Sequence, residues 1–128
     1  MTTKCFDIMT VDPEACEQSC TAEKIAQLMK TKNIGSVPII DSRDSFKLVG
    51  IVTDRDLVLK VMAESGNACE LKAGDIMTPQ PVSCKSDDDV NSAIKSMEEF
   101  QVRRIPVTNE SGKLVGIIAQ ADIALRLG

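Results

Sequence analysis

The chain has 128 residues, of which 43% are hydrophobic and 27% charged, as in one compact globular domain or two small halves sharing a core. Three Phe, no Trp or Tyr and a net charge of −4 disfavour both base stacking and a phosphate backbone, which excludes nucleic acid as an expected partner. No apolar run reaches the roughly 20 residues of a membrane span, and the start lacks the apolar core of a signal peptide. We therefore expect no membrane partner and a cytoplasmic protein.

In chain order, a lead-in over 5–9 and an irregular connection over 10–16 come before the first helix. Ser19 or Thr21 is its expected start, because four apolar residues follow at the spacing of one helical face. These residues are Ala22, Ile25, Ala26 and Met29. We expect the helix to stop near Asn33–Gly35, since Gly35 suits a helix C-terminus.

A brief strand is predicted over 37–40, with Pro38 at its beginning or at a sheet edge, because proline cannot donate to a ladder. A polar turn over 41–47 leads to a second strand over 48–53. A helix over 54–62 follows, with Leu57, Val58 and Val61 predicted to point inward.

The sequence contains an internal repeat that covers most of the chain. Asp7-Ile8-Met9-Thr10 recurs as Asp75-Ile76-Met77-Thr78, an offset of 68 residues (from 7 to 75), and Leu48-Val49-Gly50-Ile51 returns as Leu114-Val115-Gly116-Ile117 after a shorter turn. A register held over so many residues indicates a tandem duplication. We assign 1–62 to the first repeat, 63–74 to a linker and 75–128 to the second repeat.

The second repeat is expected to follow the same plan of lead-in, helix, strand, strand, helix. Ser86 or Asp87 is its predicted helix cap, and the later elements are predicted over 104–108, 114–119 and 120–127. Two strands and two helices bury too little apolar surface alone, so the repeats should pack face to face about a pseudo-twofold axis. The predicted fold class is α+β, an α/β-type sandwich.

The junction after the second strand carries the candidate chemistry. Thr53 is placed as a helix N-cap with Asp56 at the third helical position, and this pattern has two interpretations. One is a capping box, which needs no ligand. The other is a site where a hydroxyl, the free N–H groups of a helix N-terminus and a carboxylate meet, which suits a phosphate and a vicinal diol.

Several motifs follow one another in the same order in both repeats: Asp-Ile-Met-Thr, then Val37-Pro38-Ile39 or Ile105-Pro106-Val107, with the run from Leu48 to Leu57 closing the first repeat. On these motifs the chain resembles a tandem pair of CBS (cystathionine-β-synthase) domains over nearly its whole length. The resemblance implies a disc-shaped module that commonly forms homodimers and binds AMP, ADP, ATP or S-adenosylmethionine between its repeats. It also implies no catalysis and no obligatory cofactor, with the ligand signal passed to an unknown target protein.

The resemblance gives Asp56 the two ribose hydroxyls and Thr53 a phosphate. It places Arg103 and Arg104 across a main cleft from them, where the guanidinium groups would meet phosphate. Adenine would lie against an apolar lining. That lining is Pro81, Val82, Val102 and Pro106.

The second cleft is expected to bind phosphate poorly or to stay empty. The position of Thr53 is taken there by Ala119, although Asp122 keeps the carboxylate of Asp56. A reciprocal capping box needs both residues, so the retained acid favours a ligand role. Gly35 and Ser36 would replace the arginines, and Glu14 would stand where the main cleft has Val82.

Two alternatives to a nucleotide sensor stay open. One is a structural or dimerisation module whose clefts bind nothing. The other is a thiol or metal sensor built on three of the five cysteines, with no histidine to help: Cys16, Cys20 and Cys84. Free thiols in a reducing compartment are the ordinary interpretation of an odd number of cysteines.

Overall fold

The computed structural model describes residues 3–127, which form two compact units. One unit is the continuous segment Glu14–Pro81, and the other joins the residues up to Pro13 with those from Val82 onward. Each contains one four-stranded sheet with helices, as the α+β prediction required. No helix in the described span is both long and apolar enough to cross a bilayer.

The elements repeat in the same order in both halves of the chain. In the first half they are α1 (Cys5–Ile8), β1 (Thr10–Val11), β2 (Cys16–Glu17), α2 (Ala22–Lys32), β3 (Ser36–Ile40), β4 (Leu48–Thr53) and α3 (Asp54–Leu57), which continues as a π-helical turn (Val58–Met62). In the second half they are α4 (Ala73–Ile76), β5 (Thr78–Pro79), β6 (Cys84–Lys85), α5 (Val90–Phe100), β7 (Arg104–Thr108), β8 (Leu114–Ala119) and α6 (Gln120–Leu127). The predicted plan is confirmed, and the two-residue strands are additions to it.

The strand order explains why the compact units differ from the sequence repeats. The sheet of the continuous unit runs β2-β3-β4-β5, and that of the other unit runs β1-β8-β7-β6. Strand β5 belongs to the lead-in of the second repeat but pairs with β4 of the first. In the same way, β1 of the first lead-in pairs with β8. Each sheet therefore takes an edge strand from the lead-in of the other repeat.

The repeated Asp-Ile-Met-Thr motif makes this docking possible. Asp75 accepts a hydrogen bond from the Lys72 N–H at 3.0 Å, which closes the start of α4. Ile76 is only 2% exposed, so it anchors the lead-in in the core of the continuous unit. Thr78 then begins the edge strand. Asp7, Ile8 and Thr10 hold the same positions at α1 and β1.

Helices α2 and α5 pack a narrow apolar stripe against their sheets. Ala22, Ile25 and Met29 are buried as predicted, but Ala26 is exposed because it lies at the margin of that stripe. Thr21 is the N-cap of α2 and accepts from the Lys24 N–H at 3.2 Å, which confirms one of its two expected starts.

Of two predicted helix boundaries, the end of α2 is confirmed and the start of α5 is wrong. Helix α2 stops within the expected 33–35, but Asn33 rather than Gly35 is its C-cap, because Asn33 takes the left-handed conformation and donates its N–H to the Met29 carbonyl. Asp89, rather than Ser86 or Asp87, caps α5 by accepting from the Asn91 N–H at 2.9 Å.

Pro38 was expected at the beginning of its strand or at a sheet edge. This prediction is wrong, since Pro38 is the third residue of β3 and β3 lies between β2 and β4 in its sheet. The reason is local. Strand β2 pairs only with Ile39 and Ile40, so β3 has no neighbour on that side at Pro38. Pro106 in β7 has the same freedom, because β6 pairs only with the two residues after it.

The helix after β4 has the predicted bounds but changes its winding. From Val58 to Met62 it is π-helical, with wider turns than an α-helix. Val61 is buried at 5% exposure, whereas Val58 is 52% exposed. The prediction that Val58 points inward is wrong, because the wider turn rotates this side chain away from the core.

Candidate functional site

The junction of β4 and α3 is held by a reciprocal capping box. The Asp56 N–H donates to Thr53 Oγ1 at 3.1 Å, and the Thr53 N–H donates to Asp56 Oδ2 at 2.9 Å. The Thr53 hydroxyl also lies 3.1 Å from Asp56 Oδ2. The capping interpretation of this pair is confirmed. The ligand interpretation stays a prediction.

The second oxygen of Asp56 is also engaged. Thr78 Oγ1 donates to Oδ1 at 3.4 Å, and the Lys60 ammonium lies 3.2 Å from the same oxygen. The Asp56 side chain is 10% exposed, and no described buried side-chain N or O atom lacks a hydrogen-bond partner. Asp56 therefore joins β4, the helix after it and the start of β5.

Sequence reasoning missed Lys60 and Thr78. The spacing of Asp56 and Lys60 is the i,i+4 spacing of a helical ion pair, which was a signal available in the sequence. Thr78 had no such signal. Its position beside Asp56 depends on the pairing of β5 with β4, across sequence separations that no local pattern encodes.

The equivalent junction in the other unit keeps half of the box. The Ala119 N–H donates to Asp122 Oδ2 at 3.0 Å, but Ala119 has no hydroxyl that could accept a hydrogen bond from the Asp122 N–H in return. The acid therefore retains a structural task without the hydroxyl. Retention of the acid therefore does not by itself favour a ligand role, and a ligand role of Asp122 stays a prediction.

Arg103 and Arg104 lie next to this second junction, within the same compact unit. Both side chains are exposed. The Gln120 N–H donates to the Arg103 carbonyl at 2.8 Å, just as the Asp54 N–H donates to the Gly35 carbonyl at 2.9 Å in the other unit. The structure thus brings Thr53 and Asp56 together in one unit and the arginines together in the other.

The predicted adenine lining is divided in the same way. Pro81 belongs to the continuous unit, whereas the other three residues belong to the second unit: Val82, Val102 and Pro106. Pro81, Val82 and Val102 are half-buried, and Pro106 is fully buried. Glu14, expected in the second cleft, lies 3.5 Å from Lys32 in a surface ion pair. Contact of a ligand with the four lining residues or with Glu14 stays a prediction.

Four of the five cysteines lie in two neighbouring pairs, Cys16 beside Cys20 and Cys5 beside Cys84. Burial raises the pKa of Cys16 to about 12, and the Cys20 thiol adds to this rise. Burial also raises the pKa of Cys84 and, less strongly, of Cys5. The Cys5, Cys16 and Cys84 thiols therefore stay protonated at neutral pH, which lowers their reactivity.

Cys16 and Cys20 line a surface pocket together with Lys24 and Arg43. Arg43 is held over this region by its hydrogen bond to the Ala15 carbonyl at 2.9 Å. Among residues 3–127, no three Cys, His, Asp or Glu side chains are grouped so that they could hold a metal ion.

Two duplicated units, each with an acid capping the helix after a central strand, define a tandem-repeat module. The family profile of the CBS domain matches residues 5–63 and 73–128. The chain belongs to the CBS domain family. CBS pairs are generally regulatory rather than catalytic.

Two curated relatives illustrate the similarity. YlbB of Bacillus subtilis is 42% identical over 96% of this chain and 81% of its own length. A protein of Methanopyrus kandleri is 38% identical over 91% of this chain, which spans only 56% of that relative.

Three solved structures share the fold. Hypoxic response protein I, solved with two coordinated zinc ions, is 34% identical with a TM-score of 0.87, and the match covers 98% of this chain and 100% of the other. The CBS pair of protein MJ0100, in complex with 5-methylthioadenosine and S-adenosyl-L-methionine, is 26% identical with a TM-score of 0.81 over 100% and 98%. CBSX2 of Arabidopsis thaliana, in complex with AMP, is 25% identical with a TM-score of 0.82 over 97% and 95%.

Proposed function

We propose that this chain is a regulatory module that binds an adenosine-containing ligand and signals to a separate target protein. The ligand class is AMP, ADP, ATP or S-adenosylmethionine. Support comes from the family match and from two similar proteins that were solved with AMP or with S-adenosyl-L-methionine. The module itself carries out no reaction and needs no obligatory cofactor.

The observation that carries the proposal is the pairing of Asp56 with Thr53 where β4 turns into α3. A carboxylate accepts both hydroxyls of a ribose cis-diol through charge-assisted hydrogen bonds. The Thr53 hydroxyl and the N–H groups at the start of the helix favour an adjacent phosphate.

The remaining site residues enter as parts of the same proposal. Arg103 and Arg104 are exposed cations suited to phosphate, and one of the two is expected to contribute most, because successive strand residues point to opposite faces. The adenine ring is expected to use the apolar lining of Pro81, Val82, Val102 and Pro106. Asp122 is expected to serve a second, weaker cleft.

The structural module remains the second candidate, and a specific observation favours it. Both oxygens of Asp56 already have partners within the continuous unit, so the residue has a full structural task without any ligand. A thiol or metal sensor has less support. Its third cysteine, Cys84, lies in the other compact unit and is paired with Cys5.

Calorimetric and thermal titrations with AMP, ATP and S-adenosylmethionine separate the two main candidates. A sensor at ligand concentrations 100 times the dissociation constant gains about 2.7 kcal/mol of unfolding free energy. A melting temperature unmoved by every ligand at millimolar concentration would leave the structural module as the function.

We also propose that the protein is a cytoplasmic homodimer. Three apolar side chains of the π-helical turn support a self-association surface on the continuous unit, since they are 46–75% exposed: Val58, Leu59 and Met62. Large apolar side chains exposed side by side are typical of interaction surfaces.

A further inference from the structure

The side chain of Lys60 connects two groups within the continuous unit. Its ammonium lies 3.2 Å from Asp56 Oδ1 and donates to the Ile76 carbonyl at 3.0 Å. Asp56 is the proposed ribose acceptor, and Ile76 is the last residue of α4. The lysine therefore joins the proposed ligand site to the lead-in of the second repeat.

The acceptor capacity of Asp56 makes this contact important. A carboxylate offers about four lone-pair positions. Two contacts on Oδ2 come from the Thr53 N–H and hydroxyl, and two on Oδ1 come from Thr78 and Lys60. A ribose diol brings two further donors, so two of these positions have to be freed. The Thr53 O–H can free one by rotation, because its oxygen serves the cap as an acceptor, and one further partner has to leave.

Lys60 is the partner that can leave most readily. The Thr53 N–H belongs to the capping box, and loss of that bond would open the start of α3. Thr78 is held by the pairing of β5 with β4. The Lys60 side chain is 44% exposed, so water can solvate its ammonium as soon as it leaves the carboxylate.

We propose that Lys60 is a built-in competitor for the ribose-binding carboxylate, which a bound ligand displaces from both Asp56 and the Ile76 carbonyl. This inference rests on the proposed function and deepens it. Displacement removes the side-chain tie between the π-helical turn and α4. The ligand state is thereby passed to the segment that supplies edge strand β5.

The test uses adenosine, which has the ribose diol but no phosphate that could attract the lysine directly. Isothermal titration calorimetry compares the wild type with Lys60→Met, which keeps most of the length of the side chain and removes the charge. Lys30→Met, at an exposed position of α2, is the matched control for the change in net charge. The expected result is two- to fivefold tighter adenosine binding for Lys60→Met, on the order of the strength of a partly exposed ion pair, and no change for Lys30→Met.

Two further measurements separate competition from a general structural effect. The melting temperature of unliganded Lys60→Met should stay level or fall while its affinity rises, whereas a structural defect lowers both. Added salt should tighten adenosine binding to the wild type more than to Lys60→Met, because only the wild type has the ion pair to screen.

The outcomes distinguish this inference from the proposed function. Equal adenosine affinity of wild type and Lys60→Met overturns the competitor role alone. Weaker binding by Lys60→Met also overturns it and makes the lysine a ligand contact. Failure of adenosine to bind either protein, with no binding of AMP, overturns the proposed function and this inference together. Binding by Lys60→Met alone supports both.

Discussion

Gly50 lies directly against the side chain of Met77, so that a methyl group on Gly50 would overlap the methionine sulfur. The same methyl group would lie 3.1 Å from the Thr78 carbonyl oxygen, which belongs to the backbone and cannot swing away. Gly116 stands in the same relation to Met9 and Thr10. The repeated glycine thus makes room for the lead-in of the other repeat.

Gly50→Ala should lower the free energy of unfolding by about 1–3 kcal/mol, the usual cost of overpacking a filled site. Urea denaturation measures this loss. Gly74→Ala is the matched control, since a methyl group there meets only ordinary contacts at 3.5 Å or more. Equal stability of the two variants would show that the lead-in can shift without cost.

Asp56→Ala should abolish binding of AMP, whereas Asp122→Ala should leave the main affinity nearly intact. The reason is the asymmetry of the two junctions, since only the first pairs its acid with a hydroxyl. Titration calorimetry on both folded variants makes the comparison. Equal losses of affinity would contradict the proposed asymmetry of the two clefts.

Thr53→Ala should cost about 1 kcal/mol of unfolding free energy, because the Asp56 N–H at the start of α3 loses its acceptor. Thr53→Ser keeps the hydroxyl and should restore most of the loss. Thermal and urea unfolding of the two variants in the absence of ligand measure the cap alone. A Thr53→Ser protein as unstable as Thr53→Ala would assign the loss to the missing methyl group instead.

Stability should fall at alkaline pH. The pKa values of Cys5, Cys16 and Cys84 are raised by burial above the ordinary 9.0, that of Cys16 to about 12. Below pH 9 both states hold these protons and the contribution is constant. Between about pH 9 and 12 the unfolded chain releases them first, so unfolding becomes more favourable.

Urea unfolding under reducing conditions at several pH values above 9 measures this slope. Each thiol that remains protonated in the folded state contributes up to about 1.4 kcal/mol per pH unit. Cys16→Ala should flatten the dependence, because it removes one of these groups. An unchanged slope in this variant would mean that the thiol titrates alike in both states.

Met62→Lys should convert the proposed homodimer into a monomer. Met62 is 75% exposed at the end of the π-helical turn, so a charge there disturbs the apolar surface without touching the core. Light scattering coupled to size exclusion measures the mass. Phe100→Lys, 54% exposed in the other unit, is the control expected to remain dimeric.

The duplication made much of the fold predictable. Because each motif occurs twice, β4, β7, β8 and α6 were predicted with the bounds that the structure gives. The contact of Thr53 with Asp56 was also predictable, since it is local and follows from residue spacing. For local patterns of this kind, the residue spacing alone is enough to predict the contact.

What depends on long-range pairing was not predictable. The two-residue strands have too few residues for a periodic signal, and the pairing of Thr78 with Ile51 connects distant parts of the chain. The outward position of Val58 depends on a π-helical turn, which the periodicity of an α-helix cannot express. Of the residues around Asp56, the sequence therefore predicts Thr53, whereas Lys60 and Thr78 are found only in the structure.

The exchange of lead-ins decides how this chain can be divided. A fragment cut at the end of the first repeat would carry Thr10–Val11 away from β8 and leave β4 without β5. Its open sheet edge would present unpaired N–H and C=O groups to other chains, a route to aggregation. Residues 14–81 are the continuous piece that keeps its own sheet complete, and they are the segment to transplant or to express alone.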